Sequence, residues 1–135
     1  MCEIGDIILV SKYKHNEVEL KTHSFIVVED ENGMINSMSY DLVSMVMGSY
    51  GKNDYKKENK LSRDGNFPIA NEDTVTTPDN GKDGYVKVDQ LYYFEKDQLD
   101  FKVIGKIDAD ILKLLFEYIE ESDFPIITIT SNLKK

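Results

Sequence analysis

The feature that most restricts the fold is that a single segment, residues 108–121, has the periodicity of an amphipathic helix, and it lies late in the chain. Asp108 is suited to the N-cap position, and Pro125 disfavours helical backbone at Phe124, so the helix ends before it. Apolar residues recur at the spacing of one buried helical face. These residues are Ile111, Leu112, Leu114, Leu115, Tyr118 and Ile119.

The rest of the chain consists of short runs typical of β-strands, separated by polar or turn-forming residues. The run at residues 40–47 fits a strand or a helix, and we assign a strand because valine is frequent and Gly48 follows. Residues 12–21 and 50–66 are polar, which predicts connecting loops. The predicted strands are residues 6–11, 24–29, 40–47, 67–70, 73–77, 85–94 and 126–130. If the edge of the last strand is free, it is a pairing site.

The segment 85–94 has the clearest strand pattern. Side chains alternate between the two faces of a strand, so four apolar side chains share one face while Lys87 and Asp89 lie on the other. Gln90 falls on the apolar side, which requires either a buried hydrogen bond or a β-bulge. The four apolar residues are Val86, Val88, Tyr92 and Phe94.

Several short strands followed by one helix argue against a parallel α/β sheet. They favour a small, strongly bent barrel or open sheet with the helix packed on it. The chain has 135 residues and contains no repeat, low-complexity tract or linker, so we expect residues 1–135 to form a single domain.

Composition narrows the possible functions and the location of the chain. The longest apolar run, residues 7–10, is too short to cross a membrane, and no secretory signal is visible. The single cysteine, Cys2, lies in a terminal segment that we expect to fray, and it fits a reducing compartment. We therefore expect a cytoplasmic protein without membrane contact.

The net charge of −9 disfavours a broad nucleic-acid surface, because affinity for phosphates comes mainly from lysine and arginine. The chain has fifteen lysines and one arginine, Arg63, so RNA binding requires clustered cations. Residues 50–66 form such a cluster, with a local net charge of +2 from Lys52, Lys56, Lys57, Lys60 and Arg63 against three carboxylates. This segment is either a solvated loop or a phosphate-contacting one.

Cofactor-dependent chemistry finds no support in the sequence. His15, His23 and Cys2 lack the spacing of a zinc site, and no glycine-rich phosphate loop or nucleophile elbow is present. We therefore expect neither metal nor cofactor, which leaves metal-free enzymes and binding proteins as candidates.

Three segments, in this order, resemble the MazF/PemK family of toxin endoribonucleases. They are Gly5-Asp6-Ile7-Ile8-Leu9-Val10 at the start, Tyr85-Val86-Lys87-Val88-Asp89-Gln90-Leu91 in the late strand, and Val103-Ile104-Gly105-Lys106-Ile107 leading into the helix. The resemblance implies a mainly β fold, an SH3-like barrel of the MazF/PemK/CcdB type with a C-terminal helix. It also implies a homodimer that cleaves single-stranded RNA without metal and is silenced by a small antitoxin.

The resemblance also implies a reaction in which the ribose 2′-OH attacks the adjacent phosphorus. Where the family usually has an Arg-Pro pair, with the catalytic arginine, this chain has His23-Ser24, and where the family has Thr-Ser it has Gly48-Ser49. The resemblance therefore places His23 and Ser49 at the catalytic site. Histidine can accept a proton and, when charged, stabilise a phosphorane. His15, in the preceding loop, is a hypothetical partner in an acid–base pair.

Three functions remain open at this point. The first is a toxin endoribonuclease, with RNA contacts from Lys14, His15, Lys21, Ser24, Lys52, Lys56, Lys57 and Arg63. The second is an inactive MazF-like barrel that binds a protein partner in phage or plasmid defence. The third is a binding module without toxin ancestry.

Overall fold

Short strands and one long helix make up the computed structural model, which describes residues 2–15, 18–49, 65–70, 73–76, 84–131 and 133. The helix, α1, spans Ala109–Glu120, and a 3₁₀ turn spans Lys96–Gln98. The strands of this part are β1 (Asp6–Val10), β2 (Tyr13–His15), β3 (Val18–Leu20), β4 (His23–Glu29), β5 (Gly33–Ile35), β6 (Met38–Tyr40), β7 (Leu42–Ser49), β8 (Asn66–Ile69), β9 (Thr74–Thr76), β10 (Gly84–Lys87), β11 (Gln90–Phe94), β12 (Phe101–Ile107) and β13 (Ile127–Thr130).

Nine of these strands form one strongly curled sheet, a half-barrel, which confirms the mainly β fold with a C-terminal helix. Its main path runs β13-β11-β7-β4-β1-β12-β9, and β8 joins through β10, which pairs with β7. The β11–β13 pair is parallel, and the other pairs in this sheet are antiparallel. The pairs β2–β3 and β5–β6 form separate two-stranded hairpins.

Successive side chains of a strand point to opposite faces of the sheet. Each face of this sheet packs against a core of its own. In β4, Phe25 and Val27 enter one core and Ile26 enters the other, and all three are fully buried. The first core is rich in aromatic rings that meet edge to face, such as Phe25 and Tyr92 with centroids 5.2 Å apart. The second core lies between the sheet and α1, whose Leu115 is fully buried.

The helix matches its prediction except at one side chain. Asp108 is the N-cap, and its carboxylate accepts a hydrogen bond from the Asp110 backbone N–H at 2.9 Å. Leu114, predicted to be on the buried face, is 51% exposed. At 100° per residue it lies at the margin of the apolar stripe centred on Leu115, beyond the reach of the sheet. Gly5 has a φ of +93° and lies against Leu112, which suits a residue without a side chain.

Two hairpins were absent from the sequence prediction. Residues 12–21, predicted as a loop, contain β2 and β3, because Tyr13 is buried in the aromatic core and Leu20 packs against it. Tertiary packing thus overrides the polar composition of this segment. Strands β5 and β6 are joined by Asn36 and Ser37, both at positive φ, as in the tight turns that match the twist of a hairpin.

The predicted strand 85–94 is two strands, β10 and β11, separated by a turn at Val88 and Asp89. Both pair with β7. Val86 lies opposite Met47, whereas Tyr92 lies opposite Ser44, so the five residues 87–91 face only residues 45 and 46. Gln90 lies in this bulge, which is one of the two placements that the sequence left open. It also divides the apolar face, because Val86 and Val88 join the core under α1 while Tyr92 and Phe94 join the aromatic core.

The final strand, β13, confirms the prediction for residues 126–130 and forms one end of the main sheet path. Its Ile129 is buried, but Ile126 and Ile127 are exposed. No helix in the described part of the chain is long and apolar enough to cross a membrane.

Candidate functional site

A cleft of about 240 Å³ opens on the aromatic face of the sheet, beside the bulge. The β2–β3 hairpin forms one wall, the beginning of β4 and the end of β7 form the floor, and the bulge forms the other wall. The residues that line it are Tyr13, Leu20, His23, Val46, Met47, Gly48, Tyr85, Lys87, Gln90 and Tyr92. His23, a predicted catalytic residue, therefore lines this cleft.

The position of His23 follows from its place at the start of β4. Its register partner in β1 is Val10, and its ring meets the buried Tyr13 ring edge to face, with centroids 5.7 Å apart. Its Nδ1 lies 3.0 Å from the Lys21 carbonyl oxygen. A carbonyl only accepts hydrogen bonds, so this contact places the proton of a neutral imidazole on Nδ1. The Nε2 atom is then the acceptor, as a general base requires.

Three adjacent strands meet at the level of His23. Tyr85 of β10 is paired with Gly48 of β7, and the β4–β7 ladder ends with Phe25 opposite Val46, two residues before His23 and Gly48 on the same faces of their strands. The three residues line the same cleft. A Cβ atom built on Gly48 would be 2.6 Å from Tyr85 Cζ and Oη, so the tyrosine ring lies over the glycine.

The bulge supplies the polar groups on the other wall of the cleft. Lys87 lies two residues beyond Tyr85 on the same face of β10, and Gln90 follows the turn. An ammonium group, a phenol hydroxyl and an amide are donors that can bind an anion such as a phosphodiester. Facing a histidine with an unprotonated Nε2, they form a set able to bind a phosphate and accept a proton beside it.

The structure brings the backbone of Ser49, the other predicted catalytic residue, close to His23. Ser49 ends β7, directly after Gly48, and pairs with Gly84 of β10. Its side chain lies outside the described part of the structure, as does that of His15 in β2.

The other predicted RNA contacts that the structure describes, Lys14, Lys21 and Ser24, do not line the cleft. Lys14 is exposed on the side of β2 opposite to Tyr13, and its backbone N–H donates to Ser131 Oγ at 2.8 Å. Ser24 lies on the face of β4 opposite to His23, and Lys21 is exposed and contributes its carbonyl group to the His23 contact. Lys52, Lys56, Lys57 and Arg63 lie outside the described residues.

Sequence reasoning did not identify Tyr13, Tyr85, Lys87 and Gln90 as site residues. Two signals pointed to them: Lys87 lay on the polar face of its strand, and Gln90 required either a buried hydrogen bond or a bulge. Bulges often redirect side chains next to functional sites. Their meeting with His23 depends on the pairing of β7 with both β4 and β10, which is not local in sequence.

Cys2 lies away from this cleft, in the aromatic core, where it is 3% exposed. The expectation that its segment frays is therefore wrong, because Ile8, Val10 and their neighbours cover it. Burial raises the pKa of its thiol. Within the described ranges, no group of three or more histidine, cysteine, aspartate or glutamate residues could hold a metal ion.

Comparison with protein-family models, with curated proteins and with solved structures finds no match to this chain.

Proposed function

We propose that this chain is a metal-independent endoribonuclease of the MazF/PemK type, the toxin of a toxin–antitoxin pair, with His23 as its general base. The observation that carries the proposal is the contact between His23 Nδ1 and the Lys21 carbonyl oxygen at the mouth of the cleft. It orients the imidazole with Nε2 as the acceptor. The half-barrel with a C-terminal helix is compatible with this family.

The reaction divides into a proton transfer and a displacement at phosphorus. His23 Nε2 accepts the proton of the ribose 2′-OH, the 2′-oxygen forms a bond to phosphorus, and the bond from phosphorus to the 5′-oxygen breaks. The products are a 2′,3′-cyclic phosphate and a 5′-OH end, whose oxygen takes up a proton. His15 is the hypothetical donor of that proton. Lys87 stabilises the negative charge that builds up on the phosphate oxygens.

The RNA is single-stranded in this proposal, because the 2′-oxygen must come into line with the 5′-oxygen it displaces, which a regular duplex backbone prevents. Ser49, Lys14, Lys21 and Ser24 remain proposed contacts along the strand. The lysine-rich segment with Lys52, Lys56, Lys57 and Arg63 extends the proposed RNA path. A homodimer and a small antitoxin belong to the same proposal.

A specific observation favours a second candidate, a barrel that binds a protein partner without cleaving RNA. Strand β13 ends the main sheet path, its first residue Ile127 and the preceding Ile126 are exposed, and the chain carries a net charge of −9. A sheet edge with apolar side chains suits pairing with a strand of another protein.

A cleavage assay separates the two candidates. Purified protein is incubated with a long single-stranded RNA in EDTA, beside His23→Ala, His23→Gln and His15→Ala. We expect discrete cuts ending in cyclic phosphate, slowed by about 10²–10⁴-fold in both His23 variants because the general base is lost. His15→Ala slows cleavage if His15 is the acid, and full activity in that variant removes it from the mechanism.

Val18→Ala is the matched control, since Val18 is 59% exposed on the same hairpin and does not line the cleft. His23 is exposed, so both His23 variants should keep the fold, which circular dichroism checks. Intact RNA after incubation with folded wild-type protein would reject the nuclease and leave the protein-binding candidate. Its partner would then be sought by co-purification.

A further inference from the structure

The pairing of Tyr85 with Gly48 is the feature of the cleft that the mechanism above does not use. A Cβ atom at position 48 would be 2.6 Å from the Tyr85 Cζ and Oη atoms, so any side chain there would require the tyrosine ring to shift. Neighbouring strands are about 4.8 Å apart, so the backbones of β4 and β10 are separated by about 10 Å across β7. By lying over Gly48, Tyr85 carries its hydroxyl group from β10 toward the strand that holds His23.

A second tyrosine covers a glycine in this chain, and comparing the two pairs shows how the surroundings of Tyr85 differ. Tyr40 of β6 lies over Gly33 of β5 in the same way, and the two are register partners. A tyrosine that covers a cross-strand glycine is thus a packing device in this chain, as in other sheets. However, Tyr40 packs against Tyr93 and lines a different pocket, with Met34 and Glu95. Only Tyr85 of these two covering tyrosines shares its cleft with a histidine.

The proposed reaction needs a hydrogen-bond donor at the phosphate, and the Tyr85 hydroxyl can be that donor. Negative charge grows on the non-bridging phosphate oxygens as the 2′-oxygen attacks, and a fixed donor aimed at one of these oxygens lowers the barrier. A phenol hydroxyl is a donor at neutral pH. Its ring has few rotatable bonds, and here the cover over Gly48 fixes its direction. Lys87 lies two residues beyond Tyr85 on the same face of β10, so one strand supplies both the ammonium charge and the hydroxyl donor.

We propose that Tyr85 is a catalytic residue whose hydroxyl donates a hydrogen bond to a non-bridging oxygen of the scissile phosphate, across Gly48 from His23. The inference rests on the proposed ribonuclease function. Tyr85 keeps its proton throughout: the 2′-OH proton goes to His23, and the bond that breaks is the one to the 5′-oxygen. Gly48 allows Tyr85 to take this position, because a larger residue at position 48 would displace the tyrosine hydroxyl.

The test compares Tyr85→Phe with Tyr40→Phe. Each variant loses one hydroxyl and keeps the ring over its glycine, so both should fold, which the urea midpoint checks. We expect kcat to fall by about 10²-fold in Tyr85→Phe, as for the loss of one oxyanion donor, and to stay at the wild-type value in Tyr40→Phe. Gly48→Ala should lower kcat as well, since it moves the Tyr85 ring.

Sulfur substitution gives a readout that a purely structural role would not change. A short RNA that the wild type cleaves is made with sulfur in place of each non-bridging oxygen at the cut. Sulfur is a weaker hydrogen-bond acceptor than oxygen. In one of the two forms it replaces the oxygen that Tyr85 contacts, and that form should slow the wild type more than it slows Tyr85→Phe. Equal sulfur effects and equal kcat in both proteins would overturn the role of Tyr85 while the nuclease stands. A folded wild type that leaves RNA intact would overturn the proposed function, and this inference with it.

Discussion

Burial at single residues decides which reactive groups of this chain can act. Cys2 and Tyr13 are both close to fully buried, and burial raises the pKa of each. His23, by contrast, is exposed at a strand start, with one ring nitrogen held by a backbone carbonyl. The sequence marked both Cys2 and His23 as chemically notable, but only the packing separates a structural thiol from an accessible imidazole.

At this scale we predict that the Cys2 thiol is protected in the native protein. A thiolate is the reactive species, and both burial and the raised pKa suppress it. Ellman's reagent should therefore react at least about tenfold more slowly in native buffer than in urea, because the segment must first open. The matched control is a peptide with the sequence of residues 1–6. Native labelling as fast as that of the peptide would show that the segment is open.

At the scale of elements, local signals predicted the start of α1 and the strand character of residues 42–47. An N-cap and a valine-rich run that ends at a glycine act over a few residues, so they can be recognised without the rest of the fold. The β2–β3 hairpin could not be recognised in this way, and Gln90 indicated a bulge only as the alternative to a buried hydrogen bond. Tyr13 and Leu20 form a hairpin because the aromatic core lies beneath them, and the bulge exists because β7 pairs with β10 and β11 in two registers.

The N-cap of α1 gives the prediction for this scale. Asp108→Ala removes the acceptor of the Asp110 backbone N–H and should lower the free energy of unfolding by about 0.5–2 kcal/mol. Urea unfolding followed by circular dichroism measures the change. Asp100→Ala is the control, because it removes an exposed carboxylate and keeps the backbone hydrogen bond from Ser11. An equal loss in both variants would show that the cap contributes nothing specific.

At the scale of the whole molecule, the curled sheet buries tyrosines between strands that are distant in sequence. Tyr92 of β11 meets Tyr13 of β2 and Phe25 of β4 in edge-to-face contacts. Burial, and to a lesser extent the nearby Tyr13, raises the pKa of Tyr92. The hydrogen bond from Lys96 to Asp30 raises the pKa of Lys96, although desolvation opposes it.

These shifts predict a loss of stability in alkali. Each folded-state pKa lies above its unfolded value, about 10 for tyrosine and 10.4 for lysine, so the native state binds more protons over that interval. The contribution of these two groups to stability is therefore complete below about pH 10 and falls as the pH rises through their folded-state values. Urea midpoints from pH 7 to 11 measure it. Tyr92→Phe should flatten the decline, and an unchanged slope in that variant would contradict the role of Tyr92.

Local sequence signals predicted a mainly β chain with one late helix and the residue at which that helix begins. These properties depend on alternation, capping and turn residues that act between near neighbours, whereas His23 was selected by the resemblance to the MazF/PemK family and remains a prediction. Only the tertiary fold places His23, Gly48 and Tyr85 around one cleft. Their meeting requires β4, β7 and β10 to pair in particular registers, and a register reflects the burial of whole strands on both faces of the sheet.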